Sequence, residues 1–114
     1  MPAKEDLTEL KCVPCRGDEP TLELKRAREM LEEVEGWELY EADEPHIEKK
    51  FKFEDFAEAM QFVNKVAGIA EEEGHHPDIC VHWNQVELVL WTHAIGGLHK
   101  NDFIVAAKID EIDI

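Results

Sequence analysis

Basic residues are scarce in this 114-residue chain: 12 Lys and Arg stand against 27 Asp and Glu, a formal net charge of −15. The deficit argues against nucleic acid or an anionic membrane as a partner, because both require a cationic surface. There is no run of eighteen apolar residues and no charged-then-apolar leader after Met1. Membrane insertion and secretion are therefore not expected, and a cytoplasmic setting is. The three cysteines, an odd number, argue against a disulfide framework. Cys12 and Cys15 form a Cys-Val-Pro-Cys pair that supplies two of the four ligands of a tetrahedral zinc site, and no βαβ pattern follows it as a thioredoxin-like motif requires. Reduced, structurally minor thiols are the expectation, with Cys80 a small buried hydrophobe in a strand rather than a nucleophile. Repeats and low-complexity tracts are also missing, and the length suits one domain.

What the chain does have is histidine in a telling place. His75-His76-Pro77 precedes one alternating segment, Ile79, Val81, Trp83, and Thr92-His93 follows another, Val86, Leu88, Leu90. Both have the period of strands. Pro77 pushes His76 towards extended backbone, and Gly74 is a left-handed stop for the acidic helix before it. A turn at Asn84-Gln85 would set Trp83 against Val86, Ile79 against Leu90 and His76 against His93, with Cβ atoms about 4.5–5.5 Å apart in each pair. In the same register His82 opposes Glu87. Imidazole moves protons in both directions near neutral pH, so acid/base catalysis is the leading reading. A metal site ranks below it. No H-E-x-x-H pair and no second CxxC accompanies the histidines, and no metal or cofactor is expected.

The run His75-His76-Pro77, the aromatic Trp83 before Asn84, Thr92-His93 and then Asp102 together resemble the signature of the pterin-4a-carbinolamine dehydratases, from about Leu31 to the C-terminus. The resemblance implies loss of water from a 4a-hydroxytetrahydropterin to give the quinonoid dihydropterin, in tetrahydrobiopterin recycling. Carried over by position, it makes His75, His76 and His93 catalytic and pterin-binding, with Asp102 the nearby carboxylate. Pro77, Trp83, Thr92, Ala94 and Ile95 complete the substrate contacts. Which histidine is acid and which base stays open. Asp102 also reads as a carboxylate at the positive end of a helix dipole. His99 stands where many relatives carry Ser or Thr, which predicts a weakened capping box. Microbial relatives carry similar Cys-x-x-Cys-Arg-Gly arms. The resemblance further implies a homodimer or homotetramer. Two other roles remain: a dimerisation or binding module, such as a transcriptional cofactor of the same fold, or a place in molybdopterin metabolism.

The remaining pattern is α+β. Residues 1–20, broken by Pro14, Gly17 and Pro20, form a polar, irregular arm ahead of a single domain over residues 21–114. Leu24, Ala27, Leu31 and Val34 mark a helix ended by Gly36. Trp37–Tyr40 and Ile47–Phe53 read as strands, and Lys100–Ile112 as a last helix with Phe103, Ile104 and Ala107 inward. Between them Glu54–Glu73 is a long helix, with Phe56, Met60, Val63, Ala67 and Ala70 as its inward line. A second line through Phe62, Val66 and Ile69 is expected at a subunit contact. The order αββαββα predicts a four-stranded antiparallel sheet with helices on one face.

Overall fold

In a computed structural model, which describes residues 7–13, 17, 20–41 and 43–113, the strands form where alternation is strongest. Along β4 (Gln85–Leu90), Val86, Leu88 and Leu90 are fully buried, while Gln85, Glu87 and Val89 face outward. The other elements are α1 (Leu24–Leu31), β1 (Glu38–Tyr40), β2 (His46–Lys52), α2 (Phe56–Glu73), β3 (Asp78–His82) and α3 (Lys100–Asp110). This is the expected αββαββα order. The sheet is antiparallel throughout, with strand order β1-β2-β4-β3.

The β3–β4 hairpin corrects the expected register. Its turn is Trp83-Asn84, since His82 pairs with Gln85, Val81 with Val86 and Ile79 with Leu88. Asn84 decides this. Its side-chain amide donates to the Phe53 carbonyl at 2.9 Å, and its own carbonyl accepts the Phe53 N–H at 2.8 Å. Two bonds thus tie the buried Asn84 to the end of β2. Trp83 takes up the positive φ of 52° and is 67% exposed. The two-residue slip keeps every side chain on its expected face. It does move the pairing: Cys80, rather than His82, opposes Glu87.

Capping sets the limits of α2. Asp55 accepts the Glu58 N–H at 2.8 Å, and Gly74 closes the helix at φ 66°. The buried face is Ala59, Phe62, Val66 and Ala70, whereas Phe56 is 51% exposed. Phe62 and Val66 of the second line therefore face inward and Phe56 of the first faces out, the reverse of expectation, while Ala70 is inward as expected. Phe62 packs on Phe51 and Phe53, with ring centroids 4.6 and 5.0 Å away, so it belongs to the core and offers no subunit surface.

Helix α3 is buried from Asn101 to Ala107. One side meets α2, and the other meets a 3₁₀ turn at Leu7–Glu9 whose Leu7 is 3% exposed. This early stretch of the chain is thus part of the core, which corrects the expectation of a loose arm there. Cys15 and Pro14 lie outside the described residues. At the far end of α3, Asp110 accepts from the Trp37 indole at 3.0 Å and from Lys49 at 2.9 Å. The same lysine bonds the Glu35 carbonyl and passes so close to Gly36 that a Cβ there would meet it at 2.9 Å. No helix among the described residues is long and apolar enough to cross a membrane.

Candidate active site

The last residues of α2 and the first of α3 converge on the open end of the β3–β4 hairpin. There they enclose a cavity of about 600 Å³. Gly74 breaks α2, and Pro77 keeps the next residues extended, so His75 leaves the helix pointing at the N-terminus of α3. Its Nε2 lies 2.5 Å from Asp102 Oδ1.

Asp102 is completely buried. A carboxylate there needs its lone pairs filled. Oδ2 accepts the Thr92 hydroxyl and the His99 N–H, each at 2.9 Å, and Oδ1 faces His75. Asp102 is thus the third residue of α3, closing a capping box, and it also lies beside His75. The cap is intact despite His99, because the Nδ1 of that ring accepts the Asn101 N–H at 3.0 Å. An imidazole replaces the expected Ser or Thr. A buried carboxylate on Nε2 fixes the Nε2–H tautomer and the ring orientation. Nδ1 has no partner among the described residues and remains for a ligand.

His93 reaches the same cavity by a different route from the one expected. In the observed register it does not face His76 across the ladder. Beyond Leu90 the chain leaves the sheet, closes a small loop with a Thr92–Gly97 bridge and turns through a 3₁₀ segment, His93–Ile95. The His93 ring rests on Trp91, centroids 4.0 Å apart. His76 also borders the cavity, but its Nε2 bonds Glu71 at 2.8 Å in a pair exposed to solvent.

Pro77, Thr92 and Ala94 line the cavity as expected. Trp83 and Ile95 do not. Trp83 sits in the turn at the other end of the hairpin, and Ile95 belongs to the 3₁₀ segment without joining the wall.

Other residues of the site escaped the sequence reading. Trp91 lines the cavity, and its parity with Val89 on the outer face could have placed it beside Asp78, which accepts its indole N–H at 3.4 Å. Cys12, Val13, Glu73 and Asn101 give no local signal. Burial works to raise the pKa of Glu73, but the Lys108 ammonium at 2.6 Å and the Cys12 N–H outweigh it and hold the carboxyl below its usual range. Burial, followed by the charge of Glu73, pushes the Cys12 thiol up to about 12. Cys12 is thus a neutral wall, not a nucleophile. Among the described residues no group of three or more His, Cys, Asp or Glu is arranged to hold a metal ion.

Comparison with known proteins gives the family. The family model described as pterin 4 alpha carbinolamine dehydratase matches residues 20–112. A provisionally named pterin-4-alpha-carbinolamine dehydratase of Vibrio vulnificus is 50% identical over 107 residues, covering 93% of this chain and 97% of its own. One from Rubrobacter xylanophilus is 43% identical over 107 residues, covering 94% and 98%. Among solved structures, a transcriptional coactivator/pterin dehydratase from Brucella melitensis superposes with a TM-score of 0.74 at 32% identity, over 79% of this chain and 95% of that one. A pterin dehydratase-like protein identified as a RuBisCO assembly factor in the alpha-carboxysome gives 0.58 at 25% identity, over 68% and 89%.

Proposed function

The chain belongs to the pterin 4 alpha carbinolamine dehydratase family, and from that premise we propose that it is a hydro-lyase that removes water from a 4a-hydroxytetrahydropterin by histidine acid/base catalysis. The observation that carries this reading is the His75–Asp102 pair, with His75 on the cavity wall.

The chemistry needs two proton transfers and no redox change. The bond from carbon 4a to the hydroxyl oxygen breaks, and the oxygen leaves with the electron pair. His93, on the exposed side of the cavity, protonates it to water. His75 Nδ1 takes the proton from the neighbouring ring nitrogen, whose freed electrons form the C=N bond of the quinonoid product. Each such transfer contributes about 10²–10⁴ in rate. His76 borders the cavity, where it can hold the pterin, and Pro77, Thr92 and Ala94 shape the wall.

Recycling of tetrahydrobiopterin in the cytoplasm, by a homodimer or homotetramer, is the setting this proposal adopts. A binding module of the same fold would have no need for a cavity histidine aligned by the buried carboxylate. Stopped-flow absorbance with synthetic 4a-hydroxytetrahydropterin tests the reading. Dehydration should be faster than in buffer and fall at least about 10²-fold in His75→Ala. A wild-type rate equal to the spontaneous one would overturn it.

A further inference from the structure

The N-terminal segment borders the cavity at Cys12 and Val13 and is fastened there at several points. The Cys12 N–H donates to Glu73 Oε1 at 2.9 Å, and Glu73 is itself held by Lys108 at 2.6 Å. Asn101 then grips the backbone of Val13 from both sides: Oδ1 accepts the Val13 N–H at 3.0 Å, and Nδ2 donates to the Val13 carbonyl at 2.7 Å. The Cys12 thiol donates to the Asn101 carbonyl at 3.6 Å. Leu7 anchors the same segment in the core.

The backbone of Val13 is thus satisfied and fixed, yet its side chain is 56% exposed and borders the cavity. An apolar group held by a paired amide clamp at the mouth of a polar site favours a ligand that covers it. We propose that Val13, with the neutral Cys12 beside it, forms the wall against which the flat face of the substrate ring packs. Asn101 and Glu73 act as the positioning residues that hold this wall. The N-terminal segment then sets affinity for a planar fused heterocycle, while the histidines carry the proton transfers. The inference rests on the reading of the cavity as a pterin site.

The test uses 7,8-dihydrobiopterin as the binding probe, titrated by quenching of tryptophan fluorescence, alongside turnover of the carbinolamine. Val13→Ala removes two methyl groups from a residue that is more than half exposed, so folding should be little affected. It should raise both Kd and KM roughly fivefold while kcat changes less than twofold. Asn101→Ala should weaken binding as well, and should speed hydrogen exchange at the Cys12 and Val13 amides. A Val13→Ala protein whose Kd stays within twofold of wild type overturns the wall. If wild type binds the probe in a Val13-dependent way without turning over, the catalytic reading fails and the wall stands. If wild type turns over and neither Kd nor KM depends on Val13, the wall fails and the catalytic reading stands.

Discussion

Replacing Asp102 by Asn keeps the shape of the group and removes its charge, which isolates what the carboxylate does for His75. The Asn carbonyl can still accept the Thr92 hydroxyl and the His99 N–H, both at 2.9 Å from Oδ2. The amide then turns its NH₂ towards His75 Nε2, 2.5 Å from Oδ1 in the native site. Two donors cannot face each other, so the imidazole must switch tautomer and carry its proton on Nδ1, the nitrogen that should accept from substrate. The stability cost is the difference between a charge-assisted and a neutral hydrogen bond, about 1 kcal/mol. That corresponds to a fall in Tm of roughly 4–8 °C. Turnover should fall at least about 10²-fold, the worth of one proton-transfer group. Circular dichroism and stopped-flow absorbance on the same sample separate the two effects. A folded Asp102→Asn protein retaining a third of wild-type turnover would refute the assignment of His75 as the base. Asp102→Ala is the poorer test, because it strands the buried Thr92 hydroxyl and two part-buried partners, His75 and the His99 N–H, and should destabilise the fold by about 3 kcal/mol.

Other outcomes follow from the same geometry. His93→Ala should reduce turnover at least about 10²-fold with little loss of Tm, whereas His82→Ala, at the turn end of the hairpin and against Cys80 at 3.1 Å, should leave it within twofold; equal losses in stopped-flow assays would contradict this placement of the site. Iodoacetamide near pH 8 should label the exposed Cys80 well before Cys12, whose thiol is pushed up to about 12; peptide mass spectrometry reads the order, and Cys12 labelled first would show that the N-terminal segment does not stay docked.

The order of elements, the single sheet and the histidine cluster could be read from local pattern, because alternation in β4 and the Gly74 stop of α2 are carried by neighbouring residues. What escaped depends on partners distant in sequence. The hairpin turn is fixed by Asn84 bonding Phe53, 31 residues away. The inward face of α2 was ambiguous because both of its lines are apolar, and only the Phe51 and Phe53 rings beside it choose Phe62 over Phe56. The N-terminal wall is held by bonds spanning 88 residues, from Val13 to Asn101, and no periodicity records them. Asp102 was visible as a helix-start carboxylate, and its alignment on His75 required the turn at Gly74.

That a single carboxylate both starts a helix and aligns a cavity histidine has a consequence for reading drift among relatives of this fold. Selection for folding alone would keep Asp102, since His99 and Thr92 lean on it whether or not any reaction occurs. Its presence in a sequence therefore carries little information about activity. His75 has no comparable duty: its side chain serves the carboxylate and the cavity, and the capping box survives without it. A lineage that gave up the chemistry for another role should lose the histidine first and keep the aspartate, leaving the pair mismatched as a mark of retired catalysis.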